Sequence, residues 1–456
     1  MTFGKVRHLH FIGAGGVGMC GLAEILLREG LVVSGCDLAA SDRTERLASL
    51  GARIDIGHDP SHLADVDVVV VSSAVDGHSP EVAAARSQGL PVIRRAEMLA
   101  EVMRLRQGVA VAGTHGKTTT TSLTGHLLTE AGLDPTVIVG GRVHLLGAHA
   151  RLGSSDLLVC EADEFDRSFL ELSPVWAVVT NIEAEHLDCY PRQEELDDAF
   201  ATFASRVPFY GAVIACIDDP GVRRLLPRLE RRVLTYGTSA EAWLRAQAPV
   251  AGVSGTRFAV SAAGQPLGEV TLLLPGQHNV LNALAAMAVG LELGVDFESL
   301  RSGFASFTGV ARRFERRGER DQISVIDDYA HHPSEVRATL GAARQAFPGR
   351  RLVAVFQPHL YSRTAHFAEG FAAALLAADV AIVLPIYPAR EQPMAGVSSE
   401  LVVEAARRQG HRCLLTASFE NAVATLTEVV RPGDVVLTLG AGNVYRVGQS
   451  WLEGRS

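Results

Sequence analysis

The chain has 456 residues, which is too long for one compact core and indicates two to four domains. Its net charge of -9 argues against a general affinity for nucleic acid, because a phosphate backbone requires a basic surface. The most apolar run, at 66–71, is far too short to span a bilayer, and the amino terminus does not have the pattern of a signal peptide. The six cysteines form no CxxC pair, so we expect a reduced, cytoplasmic protein with no membrane partner.

Short runs of valine, isoleucine and leucine that end in glycine, aspartate or asparagine alternate with amphipathic stretches, which is typical of parallel βα units. Residues 1–106 are predicted to contain strands HLHFIGAG, LVVSGCD and VDVVVVSSA, with helices at 19–29 and 44–50. Residues 107–310 are predicted to contain strand GVAVAG, strands near 136–140, 157–161, 175–180 and 212–217, and helices at 119–130 and 279–293. Residues 311–456 are predicted to contain strands ISVIDD, LVAVFQ, VAIVLP and DVVLTLG with helices between them. The pattern predicts an α/β protein of three domains.

Polar side chains cluster where the predicted strands end. The clusters are Asp37, Ser72–Ser73, Gly113–Thr118, Glu161, Asn181–His186, Asp327–His332, Gln357–His359 and Gly440–Asn443. Because open α/β sheets bind ligands outside the carboxyl ends of their strands, this pattern predicts clefts lined by residues of all three blocks.

The strongest local signal is the hexapeptide GTHGKT at 113–118, which lies between a predicted strand and a predicted helix. Backbone N–H groups that converge in such a turn can bind phosphate oxygens, with help from the helix N-terminus. Lys117 would contact the β- and γ-phosphates, and the hydroxyl of Thr118 would reach Mg²⁺. Val111 occupies the place of the first glycine in the usual Walker spacing, and a plain glycine turn is the alternative. Lysine occurs only at Lys5 and Lys117 among 42 basic residues, which favours a function for Lys117.

A magnesium site needs oxygen ligands near such a loop. Glu161 follows a predicted buried strand and begins the tetrad EADE, so its carboxylate could bind Mg²⁺. A solvated acidic turn is the better interpretation of this tetrad on its own. His186 is the other candidate, although a lone histidine is usually structural.

The glycines Gly13, Gly15, Gly16 and Gly18 follow the first predicted strand, and Asp37 ends the second one, 19 residues after Gly18. This pattern resembles a dinucleotide fingerprint, which could hold NAD or any nucleotide diphosphate. Glycines that serve only close packing are the alternative.

Two further groups of polar residues open predicted helices. Asn279 and Asn282 are three residues apart on one helix face, so their amides could contact a base edge, and Asn279 could instead be a plain helix cap. The pair 312–313 could neutralise phosphate charge or be solvated arginines. The segment DDYAHHP at 327–333 offers two acids and two histidines for catalysis or metal binding, without the third spaced ligand of a structural zinc site.

Taken together, these segments resemble the Mur ligases over nearly the full length of the chain. The matching segments occur in family order: HFIGAGGVGM, VSGCD, VVVSSAV, AGTHGKTTTT, EADE, NIEAEHLD, GQHNVLNALAA, ARRFE, DDYAHHP, QPHLYSRT and LGAGN. The resemblance implies a Rossmann-like UDP-sugar-binding domain at 1–106, a central P-loop ATPase-like domain at 107–310, and a Rossmann-like C-terminal domain at 311–456 that binds the amino acid and closes over the others.

The resemblance also implies roles for individual residues. It assigns the UDP-sugar to Gly15, Gly16, Gly18, Asp37, Ser72 and Ser73, and ATP to Gly113, Thr114, His115, Gly116, Lys117, Thr118 and Thr119. It assigns the nucleotide to His278, Asn279 and Asn282, and the metal to Thr118, Glu161 and His186. It places Arg313, Asp328, His332, His359 and Arg363 in the C-terminal groups that serve ATP and the incoming amino acid, and it counts Lys117, Glu161, His186, Asp328 and His332 as catalytic.

Some positions depart from the family pattern. Phe165 stands where many relatives have serine after EADE, and Leu360 stands where many have arginine after QPH, which puts one amino-acid contact in doubt. One branch of the family uses a carbamylated lysine for a second metal. Here Lys117 is the only lysine of the central block, so this chain does not have that device.

The implied activity is ATP-dependent ligation of L-alanine to the lactyl carboxylate of UDP-N-acetylmuramate through an acyl phosphate. ATP and Mg²⁺, or Mn²⁺, are the implied cofactors, and the chain is expected to be a monomer or homodimer that binds small molecules only. Four alternatives remain open: a recycling ligase that attaches a ready-made peptide, a folate-polyglutamate ligase, an NAD-dependent dehydrogenase, and a non-catalytic UDP-sugar-binding protein. The dehydrogenase would leave Lys117 without a function.

Overall fold

A computed structural model describes residues 3–72, 75, 79–139, 150–165, 167–184, 189–252, 255–389 and 391–454. The chain forms two compact units. The first comprises Met1–Arg245, Ser261–Leu267 and Leu281–Gly303, and the second comprises Ala246–Val260, Gly268–Val280 and Phe304–Ser456. Within the described ranges, no helix is both long enough and apolar enough to cross a membrane.

The amino-terminal part of the first unit is a five-stranded parallel sheet in the order β3-β2-β1-β4-β5. Its elements are β1 (His8–Ile12), α1 (Val17–Arg28), β2 (Val32–Asp37), α2 (Asp42–Ser49), β3 (Arg53–Ile56), β4 (Val68–Val71), α3 (Pro80–Ser87), β5 (Val92–Arg94) and α4 (Arg95–Arg104). Most side chains of β1 are buried, because helices cover both faces of a sheet that is formed by crossover units. Ile12 pairs with Cys36 and with Val71, so these three strands end at the same edge.

The central part contains a larger sheet whose order includes β13-β12-β11-β10-β6-β9-β7-β8. Its elements are β6 (Gln107–Ala112), α5 (Lys117–Glu130), β7 (Thr136–Ile138), β8 (Ala150–Arg151), β9 (Leu157–Glu161), β10 (Trp176–Val179), α6 (Gln193–Ser205), β11 (Ala212–Cys216), α7 (Pro220–Leu225), β12 (Val233–Gly237), β13 (Leu244–Gly252), β14 (Gly255–Ala262), β15 (Gln265–Leu272), α8 (Gln277–Glu292) and α9 (Phe297–Ser306). Every residue of β10 and β11 is buried. The register pairs Ala112 with Val179 and Val111 with Glu161, which brings the ends of β6, β9 and β10 to one edge.

The carboxyl-terminal part of the second unit is a six-stranded sheet in the order β16-β17-β21-β18-β19-β20. Its elements are β16 (Glu315–Arg320), β17 (Ile323–Asp328), α10 (Pro333–Ala346), β18 (Leu352–Phe356), α11 (Tyr361–Leu375), β19 (Val380–Val383), α12 (Glu400–Arg408), β20 (Cys413–Leu415), α13 (Phe419–Val429), β21 (Val435–Leu439) and α14 (Tyr445–Leu452). Strand β16 is antiparallel to β17, and the other pairs are parallel. Asp328, Phe356 and Leu439 are neighbours in the register, so the loops that follow them lie at one edge.

These sheets confirm the predicted α/β class. The parallel strands agree with the prediction to within a few residues. The strands that were not predicted from the sequence are β3, β5, β8, β20, the run β12 to β15 and the charged edge strand β16.

Candidate active site

The loop at 113–118 joins the end of β6 to the start of α5, and two of its glycines have backbone conformations that other residues rarely adopt. Gly113 has φ +135° and Gly116 has φ +81°. A Cβ on Gly113 would lie 2.0 Å from Oγ1 of Thr180, and a Cβ on Gly116 would lie 2.5 Å from Oδ1 of Asn282. Both positions therefore require glycine for conformation and for space, which a plain surface turn does not.

Hydrogen bonds from the end of β10 fix this loop. The backbone N–H of His115 donates to Oδ1 of Asn181 at 2.7 Å, and the N–H of Thr114 donates to the Asn181 carbonyl at 3.1 Å. The hydroxyl of Thr180 donates to the His115 carbonyl at 2.7 Å. From the sequence, Thr180 had no predicted role, and Asn181 belonged only to a polar cluster at a strand end.

Lys117 is the first residue of α5, and its ammonium group turns back into the loop. Nζ donates to the carbonyl of Gly113 at 2.7 Å and to the two carboxylate oxygens of Glu164 at 3.0 and 2.8 Å. The side chain of Glu164 is only 1% exposed, so this residue of the EADE tetrad is a buried ion-pair partner and not part of a solvated acidic turn. The ammonium group is thus positioned inside the glycine turn, as the loop hypothesis requires, while its contact with phosphate stays a prediction.

The predicted metal ligands lie around the same loop. Thr118 is buried in the first turn of α5, and Thr119 is buried beside it. Glu161 ends β9 and pairs in register with Val111, directly before the loop. A hydroxyl and a carboxylate are ligands that Mg²⁺ prefers, so the chemistry of this pair fits a magnesium site. His186 lies outside the described residues.

The glycine turn of the first sheet follows β1, and hydrogen bonds to the Asp37 carboxylate fix its backbone. Oδ2 of Asp37 accepts the backbone N–H of Gly15 at 2.8 Å, and Oδ1 accepts the N–H of Leu38 at the same distance. Gly16 precedes α1 as its N-cap. Ser72 lies next to the turn, with its Cβ 3.0 Å from where a Cβ on Gly13 would be.

A side chain from the start of α4 also lies near this turn. The side chain of Arg95 approaches Gly18, and its Cδ would lie 2.9 Å from a Cβ there. Arg95 was not singled out from the sequence, because the strand before it, β5, was not predicted there either. Ser73 lies outside the described residues.

Helix α8 carries the three residues predicted to contact the nucleotide. Oδ1 of Asn282 accepts the hydroxyl of Thr120 at 3.1 Å, which connects this helix to α5. The amide of Asn279 donates to the carbonyl of Pro275 at 2.8 Å. Burial, together with the nearby charge of Arg313, lowers the pKa of His278 to about 4, so the imidazole is neutral at physiological pH.

Asp328 ends β17 and is buried. Its carboxylate accepts the backbone N–H groups of Phe314 at 2.8 Å and Ala330 at 2.9 Å. Burial raises the pKa of Asp328 to about 6, against the opposing effect of Arg313 and those hydrogen bonds.

Other predicted residues of the second unit surround the start of α10 and α11. His332 is the N-cap of α10, with Nδ1 2.6 Å from the hydroxyl oxygen of Ser334. Arg313 lies 3.8 Å from the carboxylate of Glu335. A guanidinium N–H of Arg363 donates to Nδ1 of His359 at 3.3 Å, which makes Nδ1 the unprotonated nitrogen of that ring.

Arg312 makes several structural contacts, whereas the sequence suggested a phosphate contact or a solvated arginine. Its Nε donates to the buried carboxylate of Asp327 at 3.0 Å, and a terminal nitrogen donates to the carbonyl of Gly442 at 3.0 Å. Its guanidinium carbon also lies 5.0 Å from the ring centre of Tyr329 and 4.9 Å from that of Tyr445. The side chain therefore ties the end of β17 to the loop after β21.

We expect Arg312→Met to lower the free energy of unfolding by roughly 3 kcal/mol, because it leaves Asp327 buried without its charge partner. Urea denaturation followed by circular dichroism measures this loss. The matched control is Arg316→Met, which removes an exposed ion pair with Glu319 and is expected to change stability by less than about 0.5 kcal/mol. Equal losses in the two variants would contradict the structural role of Arg312.

Polar groups thus lie at the carboxyl edges of three α/β sheets, and one of these edges carries a glycine-rich strand–turn–helix loop that holds a lysine. This is the arrangement of multidomain α/β proteins with a phosphate-binding loop.

Comparison with known families refines that class. Three family descriptions match successive segments: Mur ligase family, catalytic domain, at 8–107; Mur ligase middle domain at 111–290; and Mur ligase, glutamate ligase domain, at 312–442. The chain belongs to the Mur ligase family, as the sequence resemblance predicted.

Individual relatives match over nearly the whole chain. UDP-N-acetylmuramate--L-alanine ligase of Geobacter sp. (strain M21) is 51% identical over 451 residues, which cover 99% of this chain and 98% of the relative. The protein with the same name from Solidesulfovibrio magneticus is 52% identical over 450 residues and 98% of each chain.

Solved structures show the same fold. The crystal structure of UDP-N-acetylmuramate-alanine ligase from Thermotoga maritima has a TM-score of 0.80 and 28% identity, with 98% of this chain and 99% of that chain covered. A murein peptide ligase from Psychrobacter arcticus has a TM-score of 0.70 and 25% identity over 98% of each chain.

Proposed function

We propose that this chain is an ATP-dependent ligase that joins L-alanine to the lactyl carboxylate of UDP-N-acetylmuramate in peptidoglycan synthesis. The names of the relatives that are 51% and 52% identical over almost the full length support these substrates. The proposed use of ATP rests mainly on the loop at 113–118. Its two glycines leave no room for a Cβ, and its lysine points inward. Six free cysteines support a cytoplasmic location.

The reaction has two steps. A carboxylate oxygen of the sugar nucleotide attacks the γ-phosphorus of ATP, the bond from that phosphorus to the β,γ-bridging oxygen breaks, and ADP leaves. The amine nitrogen of L-alanine then attacks the carbonyl carbon of the acyl phosphate. The amide bond forms, the amine loses a proton, and phosphate leaves. The chain binds only small molecules in this proposal and acts as a monomer or homodimer.

Lys117 carries the main electrostatic role in the first step. Its ammonium group would exchange Glu164 for the γ-phosphate, where negative charge spreads over the equatorial oxygens as the bond to ADP breaks. The loop from Gly113 to Thr119 would hold the other phosphates through backbone N–H groups. Thr118, Glu161 and His186 would bind Mg²⁺ or Mn²⁺, which neutralises phosphate charge when bound.

The remaining assignments follow the family resemblance. We propose that Gly15, Gly16, Gly18, Asp37, Ser72 and Ser73 bind the UDP-sugar, that His278, Asn279, Asn282 and Arg313 bind the nucleotide, and that Asp328, His332, His359 and Arg363 serve ATP and the amino acid. The neutral imidazole of His278 suits stacking on or hydrogen bonding to an uncharged base.

The pH dependence of amino-acid use tests the role of Asp328. Because burial raises the pKa of this carboxyl to about 6, it loses its negative charge as the pH falls through that value. We expect kcat/KM for L-alanine to fall below pH 6 in the wild type for this reason. Asp328→Asn should have a low kcat/KM at every pH and should not show this decrease below pH 6. If the variant shows the same decrease below pH 6, the titrating group is not Asp328.

The function itself is tested by phosphate release with ATP–Mg²⁺ and UDP-N-acetylmuramate fixed and the amine varied. L-alanine, L-serine, glycine and a muramyl-type tripeptide form the panel. Release with L-alanine supports the proposal. Release with the tripeptide alone would instead indicate the activity named for the Psychrobacter structure. Reduction of NAD without phosphate release would indicate a dehydrogenase.

A further inference from the structure

A cluster of buried polar side chains lies in the first sheet, outside all residues assigned to the reaction. Its centre is Glu81 in the first turn of α3, whose side chain is 0% exposed. His62 approaches Oε1 with Nδ1 at 2.7 Å, and His10 approaches the same oxygen with Nε2 at 3.3 Å. Sγ of Cys36 lies 2.9 Å from Oε2, and Nδ1 of His58 lies 3.0 Å from the same oxygen. One carboxylate thus faces three imidazoles and a thiol, and the side chains of His58 and His62 are partly exposed, at 16% and 14%.

We propose that His10, Cys36, His62 and Glu81 form a binding site for one Zn²⁺ ion. One ligand atom from each residue can be chosen so that all four lie within 4.8 Å of one another. Imidazole nitrogen, thiolate sulfur and carboxylate oxygen are the ligands that Zn²⁺ takes in four-coordinate sites. His58 would not bind the ion directly but would hold Oε2 of Glu81 in place, as outer hydrogen-bond partners of metal ligands do.

The hydrogen bonds behind His10 indicate which of its nitrogens is free to bind a metal. Nδ1 of His8 lies 2.9 Å from the carbonyl of Asp65, so it must carry a proton and donate. In a neutral His8, Nε2 then accepts the hydroxyl proton of Ser34 at 2.8 Å. Ser34 has then donated its only proton, so the 2.8 Å contact to His10 must be a bond in which Nδ1–H of His10 donates.

This chain of donors leaves Nε2 of His10 with a lone pair that points toward Glu81. That nitrogen is completely buried and lies 3.3 Å from Oε1 of Glu81, and its geometry satisfies no hydrogen bond within the part of the chain that the structure describes. A buried lone pair next to a carboxylate is unfavourable, and a cation between them removes the conflict. A metal-ligating histidine characteristically donates its other ring N–H to a fixed acceptor, as His10 does here.

The competing arrangement has one extra proton on His8 or His10. The added N–H would then point at Glu81, and the cluster would be a hydrogen-bonded network without metal affinity. The two arrangements differ in what happens when Zn²⁺ is added. Zn²⁺ binding breaks the S–H bond of Cys36 and releases its proton to solvent with no transfer of electrons, whereas a network that does not bind the metal releases no proton.

An ion at this position would join β1, β2, the segment after β3 and the start of α3. Strand β1 leads directly into Gly13, and Cys36 directly precedes Asp37, which holds the N–H of Gly15. The ion would therefore stabilise the strand ends that carry the glycine turn. Its effect would be on the stability of this domain, separately from the phosphate loop.

The test uses the full-length protein, stripped of metal with a chelator and titrated with Co²⁺ and then Zn²⁺. We expect an intense thiolate-to-cobalt absorption band that saturates at one ion per chain and disappears when Zn²⁺ displaces Co²⁺. Cys36→Ser should abolish the band. The matched control is Cys20→Ser, which alters another buried thiol of the same sheet domain and should keep the band.

Two further measurements keep the test decisive if Cys36→Ser does not fold. Zn²⁺ should raise the Tm of the stripped wild type, because a ligand that binds the folded state stabilises it. Ser34→Ala should weaken Zn²⁺ binding by roughly 10–100-fold, because it removes the partner that orients His10. The proposal is overturned if the stripped wild type shows neither the band nor a change in Tm, or if the band persists in Cys36→Ser.

Discussion

Replacement of Lys117 by methionine is expected to lower kcat/KM for ATP by roughly 10³-fold or more while the chain still folds. Methionine keeps the length and much of the apolar volume of the side chain but removes the ammonium group that sits 2.7 Å from the Gly113 carbonyl inside the turn. The γ-phosphate would then lose the positive charge that stabilises it during transfer. Phosphate release under saturating sugar nucleotide and L-alanine measures the effect.

Lys117→Met also removes the ammonium group that is paired with the buried carboxylate of Glu164, which lowers stability for a reason unrelated to ATP. The double variant Lys117→Met/Glu164→Gln removes that burial cost and should recover the Tm but not the activity. Lys117→Arg keeps the charge, yet a planar guanidinium cannot take the place of Nζ in this turn, so it too should be slow.

The other lysine provides the control. Lys5→Met changes an exposed residue and should leave the turnover unchanged. Near-wild-type activity of Lys117→Met, with Lys5→Met for comparison, would refute the phosphate-loop assignment.

Most of the fold could be predicted from the sequence because its parallel strands are apolar on both faces. Every residue of β10 and β11 is buried, and in β6 only Gln107 at the start is exposed. Buried parallel strands are the structures that such apolar runs favour. The edge strand β16 has the sequence ERRGER, and four of its six residues are exposed. Its strand structure comes from pairing with β17, which no local pattern of hydrophobicity reveals.

The candidate site was predictable where one short segment contains its main residues. The hexapeptide at 113–118 carries the glycines, the lysine and the helix start together, and the structure shows that both glycines are required sterically. Contacts between distant segments were not predictable. Glu164 follows Lys117 by 47 residues, and only the folded chain shows that their side chains form an ion pair.

The same reason explains two contacts that could not be predicted from the sequence. Arg312 contacts Gly442, which is 130 residues away, and His10 meets Glu81, which is 71 residues away, only in the folded chain. Single histidines and arginines are common in structural roles, so their type alone gives no signal. The register of the sheet decides which of them become partners.

Helix α5 has a glycine near each end, and comparing the two separates the effect of steric crowding from the effect of backbone conformation. Gly116 precedes the helix with φ +81°, and Gly132 follows it with φ +80°. An alanine in this left-handed region costs about 1–2 kcal/mol at either position. A Cβ on Gly132 would meet no atom within 4 Å, whereas a Cβ on Gly116 would lie 2.5 Å from Oδ1 of Asn282.

We therefore expect Gly132→Ala to lose about 1–2 kcal/mol of stability and to keep its KM for ATP. Gly116→Ala should lose more stability and roughly 10²-fold or more in kcat/KM for ATP, because the methyl group displaces Asn282 from Thr120 and distorts the turn that positions the phosphates. Urea denaturation and phosphate release on the pair measure both quantities. If the two variants behave alike, backbone strain alone accounts for the glycine at 116, and the close approach of Asn282 has no part in shaping the loop.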